Sequence, residues 1–160
     1  MNELDTRAFR DALGSFATGV TIVTAKGADG MLAGLTINSF ASVSLDPPLV
    51  LWSLSLYSPS LPIFQNCSHY AINVLAQDQV ALSNHFAAGQ TDRFAGREFT
   101  PGACGAPLLP GCCAWFECKN EMRHAGGDHL IFVGLVEHYR KESRPPLLFQ
   151  GGQYRSLAES

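Results

Sequence analysis

Gly34-Leu35-Thr36-Ile37-Asn38-Ser39-Phe40-Ala41-Ser42-Val43-Ser44-Leu45-Asp46-Pro47-Pro48 is the stretch on which the reading of this chain turns. Thr36, Asn38, Ser39, Ser42 and Ser44 offer neutral donors and acceptors, and no basic residue stands among them. Gly34 can let a ligand approach the backbone closely, and Asp46-Pro47-Pro48 cannot continue a central strand. Apolar, strand-like runs flank the segment on both sides. A polar and nearly uncharged segment in that setting suits a flat heterocycle with a polar edge better than a metal ion or a nucleic acid. The plainer reading is a polar loop leading into a barrel strand.

Upstream, Val20-Thr21-Ile22-Val23-Thr24-Ala25 is β-branched and alternating, which predicts a strand. A turn at 27–30 returns the chain over 31–37 as the hairpin partner. Before it, the spacing of Phe9, Leu13 and Phe16 predicts a helix over 5–14 with Asp5 or Thr6 as N-cap. Downstream, 49–56 reads as a buried strand, Tyr57-Ser58-Pro59-Ser60 as the turn into a short helix through Asn66, and 70–75 as another strand. A helix over 78–88 precedes a surface segment, 89–111, rich in Gly and Pro. Two long strands, 113–124 and 129–140, are joined by a hairpin turn. Pro145-Pro146 then breaks the chain before a short strand, 147–149, and a tail containing Tyr154. Six or seven strands with few helices, not alternating with them, predict a mainly β fold: an antiparallel barrel with peripheral helices. No repeat or linker divides the chain, so 1–160 reads as one domain.

Composition narrows the function. The chain has 160 residues, 46% apolar and 16% charged, with a formal net charge of −3. It is long enough to bury a core, and with no Lys/Arg cluster it is predicted to bind neither nucleic acid nor an anionic membrane. The start lacks the pattern of a signal peptide and no run reaches membrane-span length, which places the protein in the cytoplasm. The five cysteines, Cys67, Cys104, Cys112, Cys113 and Cys118, contain no C-x-x-C and read as free thiols. A zinc site from Cys104, Cys112, Cys118 and His124 fits no known ligand spacing, so no metal site is predicted.

Motifs that are missing matter as much. There is no G-x-G-x-x-G, no G-K-[ST] phosphate loop, no H-E-x-x-H and no G-x-S-x-G. A nucleotide cofactor would therefore bind without a Rossmann domain or a Walker loop. Ser53, Ser58 and Ser60, near a predicted helix start, could serve an anion or simply cap the helix. Arg93 could hold a phosphate, or pair locally with Asp92. His129, after Asp128 at a hairpin mouth, is the histidine placed like a functional group, though an exposed turn histidine looks the same. His69, His85, His124 and His138 read as structural or exposed.

In this order the segments resemble the flavin reductase-like family, the split-barrel NAD(P)H:flavin oxidoreductases that supply reduced flavin to two-component monooxygenases. The markers are Phe9-Arg10 with Gly14-Ser15-Phe16-Ala17-Thr18-Gly19-Val20-Thr21, then Thr36-Ile37-Asn38-Ser39-Phe40 and Ser42 to Pro48. Leu82-Ser83, Phe86-Ala87, Asp92-Arg93-Phe94, Gly126-Gly127-Asp128-His129 and Pro146-Leu147-Leu148 with Gly152 and Tyr154 follow. The resemblance implies a homodimer with FMN, or FAD, in a cleft near the interface, NADH or NADPH as hydride donor, and a partner monooxygenase. It assigns Thr36, Ile37, Asn38 and Ser39 to the isoalloxazine edge, and Ser53, Leu54, Ser58 and Ser60 to ribityl and phosphate. Phe86, Arg93 and Phe94 would stand nearby, and His129 would be the catalytic-site histidine beside the nicotinamide. Pro59 in the phosphate loop and Phe149, where a tyrosine is common, depart from the family pattern. The alternatives are a flavin carrier or redox sensor, and another split-barrel oxidase.

Overall fold

The computed structural model describes residues 4–89 and 92–159; the first three residues, two inside the predicted surface segment and the last lie outside them. In chain order the elements are α1 (Thr6–Gly14), β1 (Thr18–Gly19), β2 (Thr21–Lys26), β3 (Leu32–Ile37), β4 (Ala41–Leu45), β5 (Pro48–Ser55) and α2 (Leu61–Asn66). There follow β6 (His69–Val74), α3 (Val80–Ala87), β7 (Thr100–Pro101), β8 (Pro107–Leu108), β9 (Ala114–Gly126), β10 (His129–Lys141), β11 (Leu148–Gln150) and β12 (Gln153–Arg155). The chain is mainly β, with antiparallel pairings throughout, as its patterning predicts.

Local chemistry sets most boundaries. Asp5 is the N-cap of α1, its Oδ1 accepting from the Arg7 and Ala8 amides at 2.9 and 3.2 Å, so Thr6 falls inside the helix. Gly127 takes a positive φ of 64° in the two-residue turn between the last pair of the β9–β10 hairpin, Gly126 and His129. Three short pieces escaped the patterning. The 42–45 part of the opening stretch is not loop but the edge strand β4, paired to β5 with an irregularity between Ser42 and Ser44. Residues 89–111 are not all surface: β7 and β8 form a small hairpin there, and Phe94, Ala106 and Leu109 are buried. The tail forms β12, turned back on β11 through Gly151 and Gly152, both at positive φ.

Seven strands form one sheet in the order β3-β2-β6-β9-β10-β5-β4. Its two edges, β3 and β4, are consecutive in the chain and separated only by Asn38, Ser39 and Phe40. Four peptide steps reach at most roughly 14 Å, so the sheet must curl until its edges face each other. Ser39 ties the gap: its Oγ accepts from the Ser53 amide at 3.0 Å and donates to the Ser53 carbonyl at 3.3 Å. The result is a split antiparallel barrel.

Both faces of the barrel wall are packed, which explains the nearly unbroken burial of β2. Inside, Trp52 lies parallel to Phe132 at 4.5 Å and meets Phe64 and Tyr70 edge-on. Gly134 has no side chain because the Tyr70 hydroxyl fills that space. Outside, Ile22, Leu75, Phe86, Phe94, Leu109, Trp115 and Leu147 form a second cluster beneath α3 and the 92–112 segment. Helix α1 buries nothing; its Phe9 and Leu13 remain exposed, as does Phe16 just beyond its end.

Candidate functional site

The site is built on the free edge of β3. Arg93 Nη1 donates to the Gly34 carbonyl at 2.7 Å, so that carbonyl points away from β2. In an antiparallel ladder alternate residues share that orientation, which directs the backbone amide of Thr36 outward as well. Gly34 cannot carry a side chain there: a Cβ would lie 2.8 Å from the Phe86 ring and 2.9 Å from the Phe94 ring. The sequence suggests a ligand against Gly34, but the space a side chain would take there is filled by two core aromatics. The Thr36 hydroxyl donates to the Ser83 carbonyl at 2.6 Å, fastening α3 alongside. What Thr36 turns to the outside is backbone.

Arg93 does not pair with Asp92. Its Nε donates to the Ala88 carbonyl at 3.0 Å, while Asp92 Oδ1 accepts from the Phe94 and Ala95 amides at 3.0 and 3.2 Å. His85 Nε2 meets the Arg93 carbonyl at 2.7 Å, so this histidine holds the loop in place. Burial lowers the guanidinium pKa from its ordinary value, yet the group stays charged in water. Among the described residues it has no carboxylate partner, and it lines the larger of the two clefts beside it.

Two clefts flank this edge. The larger, about 360 Å³, is lined by residues 31–34, Pro59, Ser60, Ile63, Gly89, Arg93 and Phe94. The smaller, about 210 Å³, is lined by Val20, Thr36, Ile37, Asn38, Ser83, Ala87, Phe149 and Tyr154. Thr21, the register partner of Ile37, carries a buried hydroxyl with no partner among the described residues. The Tyr154 hydroxyl meets Ser83 Oγ at 2.8 Å and donates to Asn84 Oδ1 at 2.9 Å, closing one wall.

The residues expected from the sequence fall into three groups. Thr36, Ile37 and Asn38 line the smaller cleft, and Ser60, Arg93 and Phe94 the larger. The Ser39 hydroxyl is bonded to the Ser53 backbone, fastening the β3–β4 connector to β5, and Phe86 is fully buried behind Gly34. Leu54 is a core residue, so its side chain is unavailable to a ligand. The expected anion site at a helix start is weak: α2 has only six residues, and the Ser60 side chain makes no capping bond. Instead Ser58 Oγ accepts from the Ser60 amide at 3.3 Å.

His129 lies in neither cleft. Its Nδ1 meets Asp128 Oδ1 at 2.7 Å, and this contact holds the Asp128 carboxyl below the usual aspartate range. The Asp128 carbonyl accepts from the Leu56 amide at 2.9 Å, docking the turn on the loop that leads to Ser58. His129 pairs with Ser55, two residues along β5 from the Ser39–Ser53 tie. Strand spacings put it roughly 8 Å from that tie, so histidine and polar stretch share one end of the barrel.

The wall formed by Ser83, Asn84 and Tyr154 was missed by sequence reasoning, although Gly151-Gly152 is a hairpin signal that would have turned Tyr154 back onto α3. Phe149 lines the same cleft and packs edge-on against Tyr154 at 5.4 Å. All five cysteines are free. Cys112 and Cys118 are buried, their thiols pushed up to about 12 chiefly by that burial, while Cys104 is exposed. These three and His124 are not brought together into a metal site among the described residues.

The donor set fits a flavin. The outward edge of β3 and the side chains of Asn38 and Ser60 are neutral donors and acceptors, and a single fixed guanidinium stands beside the larger cleft. An antiparallel barrel with an open edge and clefts along that edge defines the split-barrel class. Residues 13–158 match the family described as Flavin reductase like domain, and the chain belongs to that family. It is similar to the FMN reductase (NADH) SmoA of Agrobacterium fabrum, 45% identical over 94% of this chain and 85% of that one. It is 43% identical to the reductase component of a flavin-dependent trigonelline monooxygenase of Acinetobacter baylyi, spanning about half of that longer relative, 53%. Among solved structures, the NADH:FAD oxidoreductase SgcE6 of Streptomyces globisporus, in complex with NAD and FAD fragments, superposes with a TM-score of 0.92 at 37% identity, covering 98% of both chains.

Proposed function

We propose that this chain is an NAD(P)H-dependent flavin reductase that passes hydride from a nicotinamide to FMN or FAD and supplies reduced flavin to a partner monooxygenase. The observation that carries the reading is the outward edge of β3, flanked by two clefts and by Arg93. The family, and relatives that are NADH-dependent FMN reductases or monooxygenase reductase components, support it.

Bound flavin and nicotinamide supply the hydride chemistry themselves. The chain's task is to bind, orient and exclude water. In this reading, outward amides of β3 and the Asn38 side chain would face the polar rim of the ring system, where neutral donors favour added negative charge. Arg93 and Ser60 would hold the phosphate end in the larger cleft. Asp128 orients the His129 imidazole through Nδ1, which would leave Nε2 to face the nicotinamide. The exposed apolar residues Phe9 and Leu13 of α1, with Phe16 just beyond it, suit burial against a second copy, so the working unit is proposed to be a cytoplasmic homodimer.

The deciding experiment adds FMN to the purified protein and then NADH. Flavin fluorescence should quench on binding, and the visible absorption should bleach. Absence of binding to both FMN and FAD at micromolar concentration overturns the reading. Tight binding without NADH consumption in the presence of free flavin reduces the protein to a carrier.

A further inference from the structure

On the wall of the barrel, at the start of β6 and outside the residues that line the two clefts, three chemically different ligand groups converge. His69 Nε2 stands 3.1 Å from Glu137 Oε2, and Cys104 Sγ lies 3.8 Å from the same oxygen. All three donor atoms fall within 4.8 Å of one another. We propose that His69, Cys104 and Glu137 form a site for a borderline divalent transition-metal ion, zinc above all, with a fourth position open to water.

Distances support coordination over a plain ion pair. Tetrahedral zinc with ordinary bond lengths separates its nitrogen and oxygen ligands by about 3.4 Å, and its sulfur and oxygen ligands by about 3.6 Å. The observed separations lie within a few tenths of an ångström of both. Without an ion, His69 meets Glu137 and the Cys104 thiol donates to the same oxygen, so one carboxylate already gathers the other two donors at spacings an ion could bridge. A thiolate, an imidazole and a carboxylate together select zinc-like ions over calcium or magnesium, which take oxygen.

The surroundings are arranged as a ligand shell needs. His69 Nδ1 meets Ser68 Oγ at 2.9 Å, a contact that fits Nδ1–H donating and so leaves the Nε2 lone pair facing the other two groups. Glu137 sits at the register shift in β10 between Val136 and His138, where a bulge re-aims a side chain. Cys104 is carried on the turn between β7 and β8, fixed by Gly105 at a positive φ of 88° and by Glu117 Oε1 accepting from the Ala103 amide at 2.6 Å. A Cβ at Gly102 would collide with that Glu117 carboxylate, so the turn can only lie where it does. Lys119 is paired with Glu121 at 3.6 Å, and Lys26 passes beside Gly105. Binding would displace the Cys104 thiol proton to solvent, giving a neutral centre of zinc, thiolate, carboxylate and imidazole. The ion would clamp the β7–β8 turn to β6 and β10 through residues that line neither cleft.

The test uses the full, untagged chain after treatment with a chelator, titrated with zinc and separately with cobalt(II). One zinc per chain is expected, with a near-ultraviolet thiolate-to-cobalt band and a rise in melting temperature on zinc addition. Cys104→Ser should abolish the band, and Cys104→Ser, His69→Ala and Glu137→Gln should each weaken zinc by at least about tenfold. Cys112→Ser should change none of these. Melting temperatures of the metal-free variants establish that each is folded. The proposal is overturned if the cobalt band survives in Cys104→Ser, or if zinc binds wild type and the three variants equally. Absence of zinc binding to wild type overturns it as well.

Discussion

Arg93 reaches across to β3 and donates to the Gly34 carbonyl at 2.7 Å, while a second nitrogen of the same guanidinium holds the Ala88 carbonyl at 3.0 Å. One side chain therefore fixes the free edge of the barrel and presents its charge to the larger cleft. Arg93→Ala would leave two carbonyls without their donor, a cost of about 1–3 kcal/mol each where water cannot replace it. It would also remove the charged partner proposed for the flavin phosphate, so on that proposal flavin affinity should fall by at least about tenfold. Arg93→Lys keeps the charge but not the two-pronged geometry and should fall between. Fluorescence titration with FMN, alongside thermal melts, separates the two effects.

Gly34→Ala is expected to destabilise without touching any polar group. The added carbon meets the Phe86 and Phe94 rings at 2.8–2.9 Å, and overpacking of this kind typically costs about 1–3 kcal/mol. For a chain of this length that is a drop of roughly 3–10 °C in melting temperature. A melt unchanged from wild type would show that the two rings can move aside.

His129→Ala should raise the apparent KM for NADH more than it weakens flavin binding. Steady-state kinetics combined with flavin titration give both numbers. An equal loss in the two would return His129 to a structural role on its hairpin.

The pH behaviour of the Asp128–His129 contact follows from its sign. The folded Asp128 carboxyl is held below its ordinary value, first by the hydrogen bond from His129 and then by its charge. Whatever stability the contact supplies is present above the unfolded aspartate pKa and is lost as pH falls through the lowered folded value. Orientation of His129 should therefore persist across neutral pH and fail only in acid. An NMR titration of the Asp128 carboxyl in wild type and in His129→Ala checks this: the variant's midpoint should move up toward that of an ordinary aspartate.

The cysteines should divide by burial. All five thiols are raised chiefly by desolvation, Cys104 also by the neighbouring Glu137 and Glu117, but only Cys104 is exposed while Cys67, Cys112, Cys113 and Cys118 are buried. A thiol reagent at neutral pH should modify one cysteine per native, metal-free chain rapidly and the other four only on unfolding. Mass spectrometry identifies the site, and rapid labelling at Cys112 or Cys118 would contradict the packing described.

Sequence alone determined the strands, because alternation and β-branching act over a few residues: β2, β3, β5, β6, β9 and β10 all lie where their patterns predict. It also determined that the 34–48 stretch is polar and nearly uncharged, and it brought out the order of short motifs shared with the flavin reductase-like family. Folding decided which of those polar groups face outward. The Ser39 hydroxyl is committed to the Ser53 backbone because the pairing of β4 with β5 carries the β3–β4 connector alongside β5. The Thr36 hydroxyl is committed to Ser83, and the Tyr154 wall comes from a tail with no local signal beyond Gly151-Gly152. Cys104, His69 and Glu137 meet from three separate elements, a convergence no spacing encodes. Periodicity is a property of neighbours along the chain; a donor's partner is settled by whichever distant segment the closed sheet brings beside it.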